Sequence, residues 1–120
     1  MENSEKTALI SDLNDLARKH IGIRSKAMMT RGIASLEPEI RTEILEKIST
    51  FDGFTEDNDP YKERDFGAFE HKGNSIYWKI DYYEPDMVYM SDDPTDETKT
   101  VRLLTIMLSS EYWPFTNLCA

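Results

Sequence analysis

The sequence predicts one α+β domain, a small antiparallel β-sheet packed against two or three α-helices. Three observations point there. Two N-terminal segments repeat apolar residues at helical spacing, a central pair alternates apolar and polar residues around a glycine turn, and 120 residues suffice for one core without requiring a second. Residues 1–120 are therefore read as a single domain. The 39% hydrophobic and 11% aromatic content exceeds what a disordered chain carries, even beside 31% charge.

Over residues 5–20, Leu9, Ile10, Leu13, Leu16, Ala17 and His20 fall three or four apart, with Lys19 and His20 at the negative end of the dipole and Gly22 as a stop. A helix is expected. Ala27–Ile33 suits a short strand, weakened by Gly32. Pro38 and Glu39 fit a first helical turn, after which Ile40, Ile44, Leu45 and Ile48 form one stripe. The segment TEDNDPYKERD has almost no aliphatic residue and reads as a loop. Phe66–His71 and Ser75–Tyr83 then read as a hairpin around Lys72-Gly73-Asn74. In its second strand Ile76, Trp78, Ile80 and Tyr82 share one face, expected in the core, and Tyr77, Lys79, Asp81 and Tyr83 share the other. Finally, Asp93-Pro94 resembles an N-cap with proline at the first helical position, followed by Asp96 and Glu97. A third helix from there to Tyr112, ended by Pro114, is the expectation, buried between layers because Val101, Leu103, Leu104, Ile106, Met107 and Leu108 cover most of its circumference. Leu104 and Leu108 should join Ile76, Trp78 and Ile80 in one core.

Charge is regional. Residues 1–50 hold eight acids and eight bases and residues 97–120 two of each, while residues 51–96 hold thirteen acids against four bases, which accounts for the whole net charge of -9. Such a surface repels the phosphates of duplex DNA and suits a basic partner, a protein or a ribonucleoprotein complex. No apolar run approaches a membrane span, and the first residues lack the order of a signal peptide, so a cytoplasmic protein is expected. Cys119 is the only cysteine and is read as incidental.

Phe51 and Phe54, then NDPYKERDFGAF (58–69), WKIDYY (78–83), Asp93-Pro94 and RLLTIMLSSEY (102–112), resemble the bacterial family known as domain of unknown function 3768. DLNDLAR (12–18) and TRGIASL (30–36) are similar to its upstream part. The resemblance implies an alphaproteobacterial setting, often on plasmids and prophages, and carries no assigned activity. Where the family pattern reads Glu-His-Asp-Phe-Gly, this chain has Glu63-Arg64-Asp65-Phe66-Gly67. Arginine stays protonated and serves neither as metal ligand nor as general base.

Asp57, Asp59, Glu63 and Asp65 offer oxygen to a hard cation, but the EF-hand template fails because Lys62 stands where glycine belongs and Ala68 where the bidentate glutamate belongs. Asn58-Asp59-Pro60 suits an Asx turn that needs no ligand. His20 and His71 lack a recognisable nucleophile partner, being read as a helix-end and a turn residue, and the five glycines form no phosphate loop. Arg18, Lys19, Arg24, Lys26 and Arg31 could touch phosphate, yet acids nearby balance them and a solvated face is the plainer reading. No cofactor, metal or catalytic residue is assigned. The expected function is partner binding through Asp57, Asp59, Glu63, Asp65, Tyr77, Asp81, Tyr83, Glu84 and Asp86, as an inhibitor of a host defence complex of the anti-CRISPR or anti-restriction type. The alternative is a small enzyme, a hydrolase, using Asn58, Asp59, Glu63, Asp65 and Asp81. A structural or antitoxin-like subunit is a third reading.

Overall fold

A computed structural model describes residues 3–112, so Pro114 and Cys119 lie outside the described residues. In chain order it contains α1 (Asn3–Lys19), β1 (Lys26–Met29), α2 (Arg31–Ala34), α3 (Pro38–Ser49), β2 (Phe66–His71), β3 (Asn74–Tyr83), β4 (Val101–Leu108) and a 3₁₀ turn (Ser109–Glu111). The strands form one sheet in the order β1-β4-β3-β2. The fold class is α+β. β2 with β3 and β3 with β4 pair antiparallel, whereas β1 lies parallel to β4, making the sheet mixed. The parallel pair is possible because two helices and a hairpin intervene between those strands, supplying the long crossover such a pair requires.

The expected third helix is a strand, and this is the main correction. β4 runs between β1 and β3 at the centre of the sheet, so both of its edges are hydrogen-bonded and Leu104, Thr105, Ile106 and Met107 are buried in succession. A central strand covered on both faces needs apolar residues at nearly every position, a pattern that mimics an apolar arc around a helix. The apparent cap serves another purpose. Asp93 Oδ1 accepts hydrogen bonds from the Thr95 backbone N–H and hydroxyl, and Asp96 Oδ1 accepts from the Thr98 N–H at 2.9 Å and its hydroxyl at 2.6 Å. These side-chain turns compete with helix initiation. A smaller correction concerns Ala27–Ile33, where β1 ends at Met29 and the chain turns into α2.

All three helices cover the same face. Ala17 of α1, Ile33 of α2, and Ile44 and Ile48 of α3 pack on Ile76, Trp78, Ile80, Leu104 and Ile106, with Leu108 and Tyr82 at the margin. Trp78 is the centre of this layer. Phe51 and Phe54 meet its ring edge-on at 5.6 and 6.1 Å, and the Arg18 guanidinium lies 5.1 Å from its centroid. Arg18 is 2% exposed rather than part of a solvated face. It donates to the carbonyls of Ile48 and Phe51 at 2.8 and 3.0 Å and to Asp15 at 2.5 Å, so the buried charge is compensated. Glycine at position 67 follows from the same packing, since a methyl group there would overlap the Trp78 indole nitrogen.

Candidate functional site

Between α3 and β2 the chain makes the loop that carries the acidic motif. Asn58 closes it by accepting from the Thr55 N–H at 2.8 Å and donating to the Gly53 carbonyl at 3.0 Å. Asp59 is buried at 7% exposure and its carboxylate accepts from the Arg64 N–H at 3.1 Å. Both residues hold the backbone, but not as the expected Asx turn: the residue two on from Asn58 is Pro60, which has no N–H, so Asn58 bonds back to Thr55 and Asp59 bonds forward to Arg64. Lys62 and Arg64 adopt left-handed φ of 60° and 58°, and the Arg64 side chain reaches Asp15 at 3.0 Å and lies 5.2 Å from the Phe54 centroid. Asp57 remains exposed.

A polar network runs from this loop under the sheet. The Tyr82 hydroxyl donates to Glu63 Oε1 at 2.7 Å and accepts from Asn14 at 2.8 Å, while Asn14 also donates to the Glu63 carbonyl and accepts from Arg102 Nε at 2.7 Å. Burial pushes the Tyr82 hydroxyl far above its ordinary value. Asp65 stands half-buried beside it. Its desolvation, reinforced by the charges of Glu63, Asp59 and Asp81, raises its pKa to about 6. Asp81, on the opposite face of β3 from Tyr82, pairs with Lys79 at 3.0 Å.

The outer face of the sheet, away from the helices, presents Tyr77, Lys79, Asp81 and Tyr83, each half-buried. Tyr112 packs its ring on Tyr77 at 5.5 Å and on Phe66 at 6.2 Å, so Tyr77 is partly engaged within the chain. Beyond Tyr83 the chain folds back, with the Glu84 N–H bonded to the Tyr89 carbonyl at 2.8 Å and Tyr83 bridged to Met90. Met87 takes φ 62° and Asp86 accepts from the Val88 N–H at 2.9 Å. This tight return leaves Val88, Tyr89 and Met90 exposed at 66%, 67% and 54% beside Glu84, Asp86 and Asp92. The candidate residues thus divide into two groups. Asp59, Glu63 and Asp65 belong to the loop and network, whereas Tyr77, Asp81, Tyr83, Glu84 and Asp86 belong to the outer face and its adjoining loop. The apolar tip at Val88, Tyr89 and Met90 was not singled out from the sequence, although three large residues among prolines and acids are themselves a signal of an exposed apolar loop.

Two clefts among the described residues lack the form of an apolar pocket with converging carboxylates. One, of about 490 Å³, is lined by residues including Phe54, Asp59, Lys62 and Arg64. The other, of about 340 Å³, lies between the α1–β1 connection and the start of β4. Within the described residues no three His, Cys, Asp or Glu side chains are grouped to hold a metal ion. No described helix is long and apolar enough to cross a membrane.

A family model described as protein of unknown function (DUF3768) matches residues 29–111. The chain belongs to the DUF3768 family. No curated protein and no solved structure matches it. The DUF3768 match begins at the end of β1 and closes at Glu111, a residue with a clear structural task. Its carboxylate accepts from the Thr30 hydroxyl at 2.5 Å and from the N–H groups of Gly32 and Leu108, both at 2.9 Å. Burial alone would raise its pKa, but these three donors outweigh burial and hold it below the usual carboxylate range. Much of the motif that carries the DUF3768 resemblance is likewise structural here, since Phe51, Phe54, Asn58, Asp59 and Gly67 all build the loop or the layer around Trp78.

Proposed function

We propose that this DUF3768 protein is a non-enzymatic, cytoplasmic binding protein of a mobile element that docks an acidic, tyrosine-bearing surface on a basic protein or ribonucleoprotein and so inhibits a host defence complex. The observation that carries the reading is the outer sheet face with its adjoining loop. Tyr83 and Asp81 lie next to an exposed Val88-Tyr89-Met90 tip edged by Glu84, Asp86 and Asp92. Apolar and aromatic anchors ringed by one sign of charge suit a protein interface, where buried rings govern dissociation and the charges speed encounter. The experiment is capture of the host partner on the immobilised chain, followed by affinity measurement with Tyr89→Ala and with Glu84→Lys/Asp86→Lys. Loss of binding in both supports the surface, and unchanged affinity in both removes it.

A second reading is supported by one observation. Asp65, with its pKa raised to about 6 beside Glu63, has the protonation behaviour of a general acid in a small hydrolase. Against it stands the work these carboxylates already perform, with Glu63 bonded to Tyr82 and Asp59 to the loop backbone. A hydrolase screen in which Asp65→Asn abolishes turnover would put this reading first.

A further inference from the structure

We propose that the cleft between the α1–β1 connection and the start of β4 binds the dianionic phosphate of a small phosphomonoester. The cleft holds about 340 Å³ and is lined by Arg24, Ser25, Lys26, Glu97, Thr100 and Arg102 among others. Three cations against one carboxylate leave a local excess of positive charge in a chain whose net charge is -9. That reversal of sign is local and matches a doubly charged ligand.

Arg102 carries the argument. It is 4% exposed and its guanidinium lies 5.2 Å from the Tyr82 centroid. It donates from Nε to Asn14 and from one terminal nitrogen to the Pro94 carbonyl at 2.6 Å, both neutral partners. Among the described residues no carboxylate lies within ion-pair distance of it. Arg102 is thus hydrogen-bonded only to neutral groups, and the carboxylates that act on its charge, Glu97 and Glu63, do so from beyond ion-pair distance, in contrast to Arg18 with its direct Asp15 partner. An anion in the adjoining cleft gives Arg102 a direct ion-pair partner.

The other cations are placed to complete the site. Lys26 is exposed at the start of β1, and Arg24 is held by Glu97 at 2.6 Å, both side chains well exposed to solvent. Glu97 is an internal carboxylate that an incoming phosphate displaces from Arg24. Gly22, with φ 88° and open space where a side chain would stand, lets a ligand approach the backbone on that wall. A phosphomonoester uses more of these donors than a single carboxylate and accepts the bidentate geometry of arginine.

The test titrates the ¹⁵N-labelled chain with O-phospho-L-serine, inorganic phosphate and sodium acetate at constant ionic strength. Saturable amide shifts confined to residues 22–26 and 97–102 with O-phosphoserine, and none that saturate with acetate, are the expected result. Arg24→Gln and Lys26→Gln should each weaken binding about tenfold, whereas Glu97→Gln should tighten it. These exposed positions leave the Asn14–Arg102 network in place, so the fold is retained. Equal shifts with acetate, indifference to Lys26→Gln, or binding of inorganic phosphate with exclusion of O-phosphoserine would each overturn the assignment. Although Val101 of the cleft pairs with Tyr83 of the partner-binding surface, the two readings fail separately, because that surface is tested by Tyr89→Ala and Glu84→Lys/Asp86→Lys and the cleft by Arg24→Gln and Lys26→Gln.

Discussion

Residues 52–65 and 84–97 are both rich in acids, and they place them differently. In the first segment Asp59 is buried as a backbone acceptor, Glu63 is bonded under the sheet to Tyr82, and Asp65 is half-buried with its pKa raised to about 6. In the second, Asp86, Asp93 and Asp96 each accept from a backbone N–H two residues on, and hydrogen bonds from Thr95 and Thr98 hold Asp93 and Asp96 below the usual carboxylate range. The ionised Asp65 carboxylate therefore opposes folding in the first segment, whereas those of Asp93 and Asp96 favour it in the second. The second loop also turns its apolar residues outward, at Val88, Tyr89 and Met90, while the first turns Phe51 and Phe54 onto Trp78. Counting charges over residues 51–96 conceals this division, and a charge-reversal experiment must respect it.

The largest effects are expected where the first loop meets the core. Trp78→Ala should destabilise by about 3–5 kcal/mol, the range for a fully buried large side chain, and Gly67→Ala by about 1–3 kcal/mol through overlap with the indole. Denaturant midpoints measure both. A wild-type midpoint for Gly67→Ala would mean that β2 does not press on Trp78 as described.

Next comes a matched pair of aspartates. Asp59→Lys should cost about 2 kcal/mol, since it removes a buried acceptor and leaves a cation in its place, whereas Asp57→Lys should stay within about 0.5 kcal/mol. Equal losses at the two positions would erase the distinction between loop-holding and surface acids within one segment.

The pH dependence sharpens the contrast between segments. Asp65 has a folded pKa of about 6 against 3.8 ordinarily, so the native state binds its proton more tightly than the unfolded chain. Its contribution is fully present below the ordinary value and is lost as pH rises through about 6. With allowance for partial solvation, Asp65→Asn should raise stability at pH 7 by about 1 kcal/mol and flatten the decline between pH 4 and 6. Asp96→Asn works in the opposite sense. Its depressed pKa means a contribution present above the ordinary carboxylate range and lost on acidification, so the variant should be slightly less stable at pH 7 and converge with wild type in acid. Thermal melts across pH 3–8 on both variants check the two signs together.

Helices α1 and α3, the hairpin and the inward set Ile76, Trp78 and Ile80 were legible because each shows a clean period of one kind, whereas α2 is a single turn too short to show one. β4 was not, because burial on both faces removes the alternation that marks a strand, and Asp93-Pro94 offered a capping signal that the fold uses for side-chain turns. Even so, Leu104 lies in the core as expected, while Leu108, expected there too, packs at its margin. At the candidate site, the acids were legible as a region but not as two populations, because which carboxylate faces Tyr82 and which faces solvent depends on contacts between residues far apart in sequence, such as Asn14 with Glu63. A loop-closing role for Asn58 was readable, being local, but not its direction, since the side chain bonds back to Thr55 and Gly53 rather than forward.

The most direct test of the central claim compares Asp57→Lys with Glu84→Lys/Asp86→Lys for binding to a captured host partner, measured as association rate across a range of salt. The account places docking at the outer face and its adjoining loop, so Glu84→Lys/Asp86→Lys should slow association and flatten its salt dependence, while Asp57→Lys should do so less and Tyr89→Ala should act on dissociation. A partner whose association rate and salt dependence are unchanged in Glu84→Lys/Asp86→Lys, and whose dissociation is unchanged in Tyr89→Ala, would contradict it.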